Sequence, residues 1–253
     1  MYKGLSVFEK GKGKICVSLM GKNIEEINEN LEYILNHPVD VVEWRADFFN
    51  DLLDLYAVSR SIRTIKNKLM EQEGYIPLLF TIRTDNEGGN VHISQENYKK
   101  ILLCICKESI VDMVDVEYLM GKAITEDIVL TAHEYNVAVV GSNHDFDETP
   151  ENKVIYDRLL GMMQEGMDIS KIAVMPNKKS DVSRVFNVTQ TINEDYPNIL
   201  TITMAMGDMG TVSRVIGYMF GSVMTFGAGM DASAPGQINA DKLSNILYEL
   251  EQI

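Results

Sequence analysis

Cysteine is scarce: Cys16, Cys104 and Cys106 are the three in 253 residues. An odd count in a chain this long excludes a disulfide framework and makes a reducing cytoplasm the expected setting. Cys104 and Cys106 lie two apart in a stretch of helical length, so they point in different directions. Both read as small buried apolar residues rather than a metal or redox pair. Positive charge is also short. Lys and Arg number 23 against 37 Asp and Glu, a formal net charge of −14. Such a chain repels phosphate backbones and anionic membranes, which argues against nucleic acid as a partner. A small anionic substrate would therefore need a local cluster of arginines. No apolar run approaches the roughly 20 residues that span a bilayer, and no segment resembles a secretory signal. The four histidines and the carboxylates show no zinc-ligand spacing, so no metal site is expected.

Low-complexity tracts, charge blocks and Pro/Gly/Ser linkers are missing too, which predicts one domain over residues 1–253. Residues 1–13 stand apart. Gly4, Gly11 and Gly13 punctuate a short alternating stretch around Leu5 and Phe8, predicting a short N-terminal β-hairpin. A rhythm follows. Apolar runs rich in β-branched residues recur at 15–20, 41–48, 78–83, 113–118, 137–142, 171–175, 199–206 and 223–226. Between them lie stretches with apolar residues three and four apart, such as Ile24, Ile27, Leu31, Ile34 and Leu35. Ser94 is placed to cap one helix, and Thr149 with Pro150 to open another. Eight strand-like runs alternating with eight helical ones predict an α/β fold, a (β/α)8 TIM barrel. A doubly wound sheet is the rival. It would carry a glycine-rich turn after its first strand, where this chain has Gly21-Lys22-Asn23.

In a barrel, alternate strand residues face the interior. On the second run Glu43, Arg45 and Asp47 alternate with Val42, Trp44 and Ala46, so the charged set points inward if the apolar set packs on helices. Arg83 ends the third run with Glu87 just after it, Asp115 and Glu117 alternate along the fourth, and Ser142-Asn143-His144-Asp145 ends the fifth. Buried charges cost several kcal/mol each without partners. One such strand would read as an interior ion pair that holds the barrel; four converging at one end read as a site, because barrel sites assemble from strand ends. Lys171 opens the sixth run and shares a face with Ala173 and Met175. It is either a lysine inside the barrel with room above it or a solvated residue snorkelling outward. His37, His92 and His133 sit in helical or loop contexts, whereas His144 lies at a strand end and is the acid/base candidate. Met204 and Met206 share a strand face, as core filler or as cavity lining. Arg214 is placed near the start of the helix after strand seven. Ser233-Ala234-Pro235-Gly236-Gln237 forms a loop of the kind that closes over ligands.

Six segments together resemble the type I 3-dehydroquinate dehydratases. They are Glu43-Trp44-Arg45-Ala46-Asp47, Phe80-Thr81-Ile82-Arg83 with Glu87-Gly88-Gly89, and Ser142-Asn143-His144-Asp145-Phe146. The others are Lys171-Ile172-Ala173-Val174-Met175-Pro176, Ser213-Arg214 and Ser233-Ala234-Pro235-Gly236-Gln237. The likeness runs from Ser18 nearly to the C-terminus, in order. Gly207-Asp208-Met209 departs from it, where the family more often carries Ser-Lys-Thr-like residues.

The resemblance implies dehydration of 3-dehydroquinate to 3-dehydroshikimate in aromatic amino-acid biosynthesis, without metal or cofactor, by a homodimer. Lys171 would form an imine with the substrate ketone, His144 would move the protons and Glu87 would orient it. Arg214 would hold the carboxylate, with Ser233 and Gln237 in the closing loop. Glu43, Arg45 and Arg83 would contact the ring hydroxyls and set the local field. Ser18, Phe146, Met204, Met206 and Ala234 would line the pocket. The residue types suit that chemistry. A protonated imine gives the carbanion an electron sink, and a guanidinium fork binds both oxygens of a carboxylate. Two alternatives stand beside it: another lysine-imine barrel such as a class I aldolase, which would want a phosphate site near strands seven and eight, and a catalytically dead barrel used for binding.

Overall fold

The computed structural model describes residues 2–252. Strands and helices alternate from the start: β1 (Lys14–Leu19), α1 (Ile24–Leu35), β2 (Val41–Arg45), α2 (Leu55–Met70), β3 (Leu78–Thr81), α3 (Gln95–Glu108), β4 (Met113–Glu117) and α4 (Lys122–Glu134). The second half continues with β5 (Ala138–Asp145), α5 (Asn152–Gln164), β6 (Ile169–Val174), α6 (Lys179–Asp195), β7 (Leu200–Ala205), α7 (Gly207–Ile216) and β8 (Met224–Ala228). A two-residue strand, β9 (Ile238–Asn239), leads into α8 (Ala240–Glu251). All pairings are parallel, in the order β7-β6-β5-β4-β3-β2-β1-β8-β9, and a bridge between Thr201 and Ser222 brings the two ends of the curled sheet together. This is the (β/α)8 barrel architecture.

Polar side chains start the helices where the backbone needs acceptors. Asn23 accepts from Glu26 N, Asp54 from Tyr56 and Ala57 N, Asn239 from Asp241 and Lys242 N, and Ser94, as its sequence position predicts, from Asn97 N. Thr149 does something else. Its hydroxyl donates to Met175 O at 2.9 Å, tying the loop after β5 to the end of β6, so α5 begins at Asn152 with Glu151 as its N-cap.

Two apolar layers form. Between strands and helices, Trp44 is fully buried edge-on to Phe49 and Phe80, with ring centroids 5.7 and 5.5 Å away. Inside the barrel, Val41, Leu79, Met113, Val140, Ile169 and Met224 fill the lower end. The N-terminal segment closes that end from below. It is a 3-10 helix, Lys3–Val7, rather than the expected hairpin. The reason is burial: a 3-10 turn puts Leu5 and Phe8, three apart, side by side under the barrel, and both join the interior cluster.

Candidate active site

The interior changes character on the way up each strand. On β2 the inward residues run Val41, Glu43, Arg45; β3 and its extension give Leu79, Thr81, Arg83; β4 gives Met113, Asp115, Glu117. On β5 the series is Val140, Ser142, His144, and on β6 Ile169, Lys171, Ala173. The lower rungs are apolar and the upper ones polar. They open into a cavity at the C-terminal end of the sheet.

Lys171 sits on the cavity floor, 3% exposed. β6 begins at Ile169, so Lys171 is mid-strand and not at its opening, and its amine need not climb to reach the mouth. Nζ lies 3.3 Å from Asp115 Oδ2, 3.7 Å from Glu43 Oε1 and 4.6 Å from the centre of the Phe226 ring. Burial alone would lift the Asp115 carboxyl, but Arg83 and Lys171 outweigh it and hold the group below the usual range. Glu43 accepts from Ser18 Oγ at 2.6 Å and Thr81 Oγ1 at 3.0 Å. Ala173, next on the same face, leaves open space above the amine.

His144 completes a pair. Its Nδ1 is 2.9 Å from Glu87 Oε2, which also accepts from the His144 backbone N–H, while Glu87 Oε1 accepts from Asn143 Nδ2 at 3.0 Å. Among the described residues nothing bonds Nε2, and His144 lines the cavity. Burial, then the cations Arg83, Lys171 and Arg45, push the imidazole well below the usual histidine range. Burial pushes Glu87 up to about 7, partly opposed by Arg83. The ring is therefore neutral at working pH. With Nδ1–H turned to an ionised Glu87, Nε2 offers a lone pair to the cavity.

The arginines divide into held and free. Arg83 donates to Asp115 (2.7 Å), Glu117 (3.0 Å), Ser142 (3.0 Å) and Glu87 (3.4 Å). Burial opposes its charge, yet Asp115, Glu117 and Glu87 outweigh burial and lift the guanidinium well above its ordinary range. Arg45 is clamped by Asp47 through two bonds of 2.8 Å. Among the described residues Arg214 has no carboxylate partner. α7 begins at Gly207, so Arg214 falls in its last turn and not near its start. It is 2% exposed, bonded to Pro235 O at 3.0 Å and Met204 Sδ at 3.4 Å, with Nε unpaired. Burial lowers its pKa to about 10.

The loop after β8 covers the cavity. Gln237 Nε2 donates to Ser233 Oγ, and Ser233 Oγ to Ser18 Oγ, each at 2.9 Å. Gly207 N donates to Pro235 O at 3.2 Å. Gly207 has a φ of +66°, which glycine adopts without strain, and a Cβ on Gly236 above it would run into the Gly207 backbone.

Phe146, Met204, Met206 and Ala234 line the cavity with the charged residues. Ser18 lies just behind, reached through Ser233 and Glu43. His37, His92 and His133 stay outside, facing Asp241, Asp85 and Asp168. Phe226 and Arg158 had no place in the sequence reading, and Gly88 and Asn143 stood there only within motifs, with no role. Phe226 was accessible through its alternation with Met224; Arg158 carried no signal. Among the described residues no group of three or more His, Cys, Asp or Glu side chains is arranged to hold a metal ion.

Comparison with known proteins gives a consistent family. The model of type I 3-dehydroquinase matches residues 15–253. A 3-dehydroquinate dehydratase from Bacillus licheniformis is 40% identical over 99% of this chain and 96% of that protein. One from Listeria monocytogenes is 42% identical over 95% and 93%. The crystal structure of a Clostridium difficile type I 3-dehydroquinate dehydratase with covalently modified comenic acid superposes with a TM-score of 0.91, at 37% identity, over 97% of this chain and 94% of that one.

Proposed function

Because this chain belongs to the type I 3-dehydroquinase family, we propose that it dehydrates 3-dehydroquinate to 3-dehydroshikimate through an imine on Lys171. The observation that carries the mechanism is the buried Lys171 amine on the floor of the cavity whose wall holds the His144–Glu87 pair. The amine attacks the ketone carbon, and the carbinolamine loses water to leave a protonated imine. Asp115 and Glu43, the carboxylates nearest Nζ, offset the imine's positive charge. His144 Nε2 then takes the proton alpha to the imine carbon, and the electron pair moves into an enamine. The enamine pushes out the ring hydroxyl, which leaves as water with the proton that His144 returns. Water finally releases the product and regenerates the amine. The test is mass spectrometry of protein given 3-dehydroquinate and borohydride: a reduced adduct on Lys171 is expected, and its absence while product accumulates would rule the imine out.

Arg214 is the carboxylate anchor in this reading. Arg45 and Arg83 already have carboxylate partners; Arg214 has an unpaired Nε and lies against the cavity. Its charge acts oppositely on folding and on binding. A buried cation without a counter-ion destabilises the empty protein, while the substrate carboxylate supplies what is missing. Arg214→Met is thus expected to weaken substrate binding by about 2 to 5 kcal/mol while leaving the melting temperature unchanged or higher. Calorimetric titration and a melting curve check both halves; unchanged affinity would remove Arg214 from the site.

A further inference from the structure

Arg158 lies on α5, on the far side of the barrel wall from the cavity. Asn143 bridges the two. Its β5 neighbours Ser142 and His144 face inward, so its own side chain points out toward α5, where it is 2% exposed. Asn143 Oδ1 accepts from Arg158 at 2.7 Å, and Asn143 Nδ2 donates to Glu87 Oε1 at 3.0 Å. A guanidinium can only donate. Arg158 therefore takes the amide oxygen, and the NH2 end is left for the carboxylate. Without Arg158 the amide oxygen loses its donor, and nothing on the α5 side holds the amide where its Nδ2 reaches Glu87.

We infer that Arg158 is a positioning residue for proton transfer, acting from the outer helix through Asn143 and Glu87 on His144. The inference rests on the reading that Glu87 and His144 move the protons. Glu87 is faced by Arg83 beyond β3, by Asp115 and Glu117 of β4 and by His144 of β5; His144 in turn feels Lys171 of β6 and Arg45 of β2. All of these lie within the barrel. Arg158 alone approaches through the wall, and among the described residues it makes no other hydrogen bond or ion pair. A side chain whose sole polar partner is Asn143 has little to do for the stability of a partly exposed helix.

The sign follows from what Glu87 loses. A hydrogen bond to the ionised carboxylate favours that form, so removing it raises the pH at which Glu87 ionises. Activity that needs the carboxylate should then appear at higher pH. In Arg158→Met the acid limb of kcat is expected to move up by about half to one pH unit. At neutral pH kcat falls about three- to tenfold, with KM within about twofold of the parent. Arg158→Lys, which can still donate to Oδ1, should recover most of the shift. An unmoved limb in Arg158→Met, or a loss of the same size at every pH, overturns the inference. Glu87→Gln measured alongside separates the two levels, since its acid limb must vanish. A limb that persists in Glu87→Gln overturns the Glu87–His144 reading and the inference with it.

Discussion

Lys171→Ala is expected to lose turnover by on the order of 10⁴-fold or more, because removing the covalent nucleophile leaves only binding and field effects. The same variant should form no borohydride adduct. Its side chain is also one partner in a buried charge network, with Asp115 at 3.3 Å and Glu43 at 3.7 Å. Breaking such a pair costs about 3 to 5 kcal/mol when a charge is left behind. Here the two carboxylates are unequally provided for. Asp115 keeps Arg83 and Ser142, whereas among the described residues Glu43 keeps only the hydroxyls of Ser18 and Thr81. The variant should therefore fold but melt at lower temperature, with Glu43 carrying most of the cost. Lys171→Ala,Glu43→Gln should recover stability and no activity. An adduct found on Lys178 or Lys179, or appreciable turnover in the single variant, would sink the assignment.

His144→Ala comes next in size. Loss of a general acid–base group typically costs about 100- to 10,000-fold in rate. A larger loss is expected here, because the same ring nitrogen takes the alpha proton and returns it to the departing hydroxyl. Binding should survive, since Arg214 and Lys171 remain. The variant is expected to hold substrate on Lys171 as an imine and to release product very slowly, which intact-mass measurement with and without 3-dehydroquinate detects directly. The parent's pH dependence belongs to the same test. Burial and three nearby cations keep His144 neutral, so the ring does not set the acid limb; Glu87, pushed up to about 7, does. kcat/KM should climb as pH rises through about 7, when Glu87 ionises and can accept the Nδ1 proton. Near-parent turnover in His144→Ala would transfer the role of base to Glu43 or Glu87.

Much of this arrangement was legible in residue order. Alternation on β2 and β4 put Glu43 and Asp115 inside because Trp44, Val114 and Val116 needed the helices. Four strands with that pattern implied a site at one end. Local chemistry was less dependable: Thr149 had the right type for a cap and used its hydroxyl on Met175 instead, and the alternation around Leu5 became a 3-10 turn under the barrel. Both misreadings have one cause. A short segment has several local solutions within a kcal/mol or so of each other, and a distant partner decides among them.

The sequence by itself determined the barrel and the inward set of charges on β2 and β4, because strand period and burial energetics leave little choice about which face a charge with partners takes; the roles proposed for Lys171, His144 and Arg214 come from the family resemblance. Only the tertiary structure decided which charges neutralise which. Arg83 is surrounded by three carboxylates and Arg45 clamped by Asp47, so neither is free; Arg214, of the same chemistry, is left with an unpaired nitrogen. The reach from Arg158 through Asn143 to Glu87 likewise exists only once α5 packs behind β5. Coulomb and hydrogen-bond energies depend on distances across the fold, and residue order along the chain carries no record of those distances.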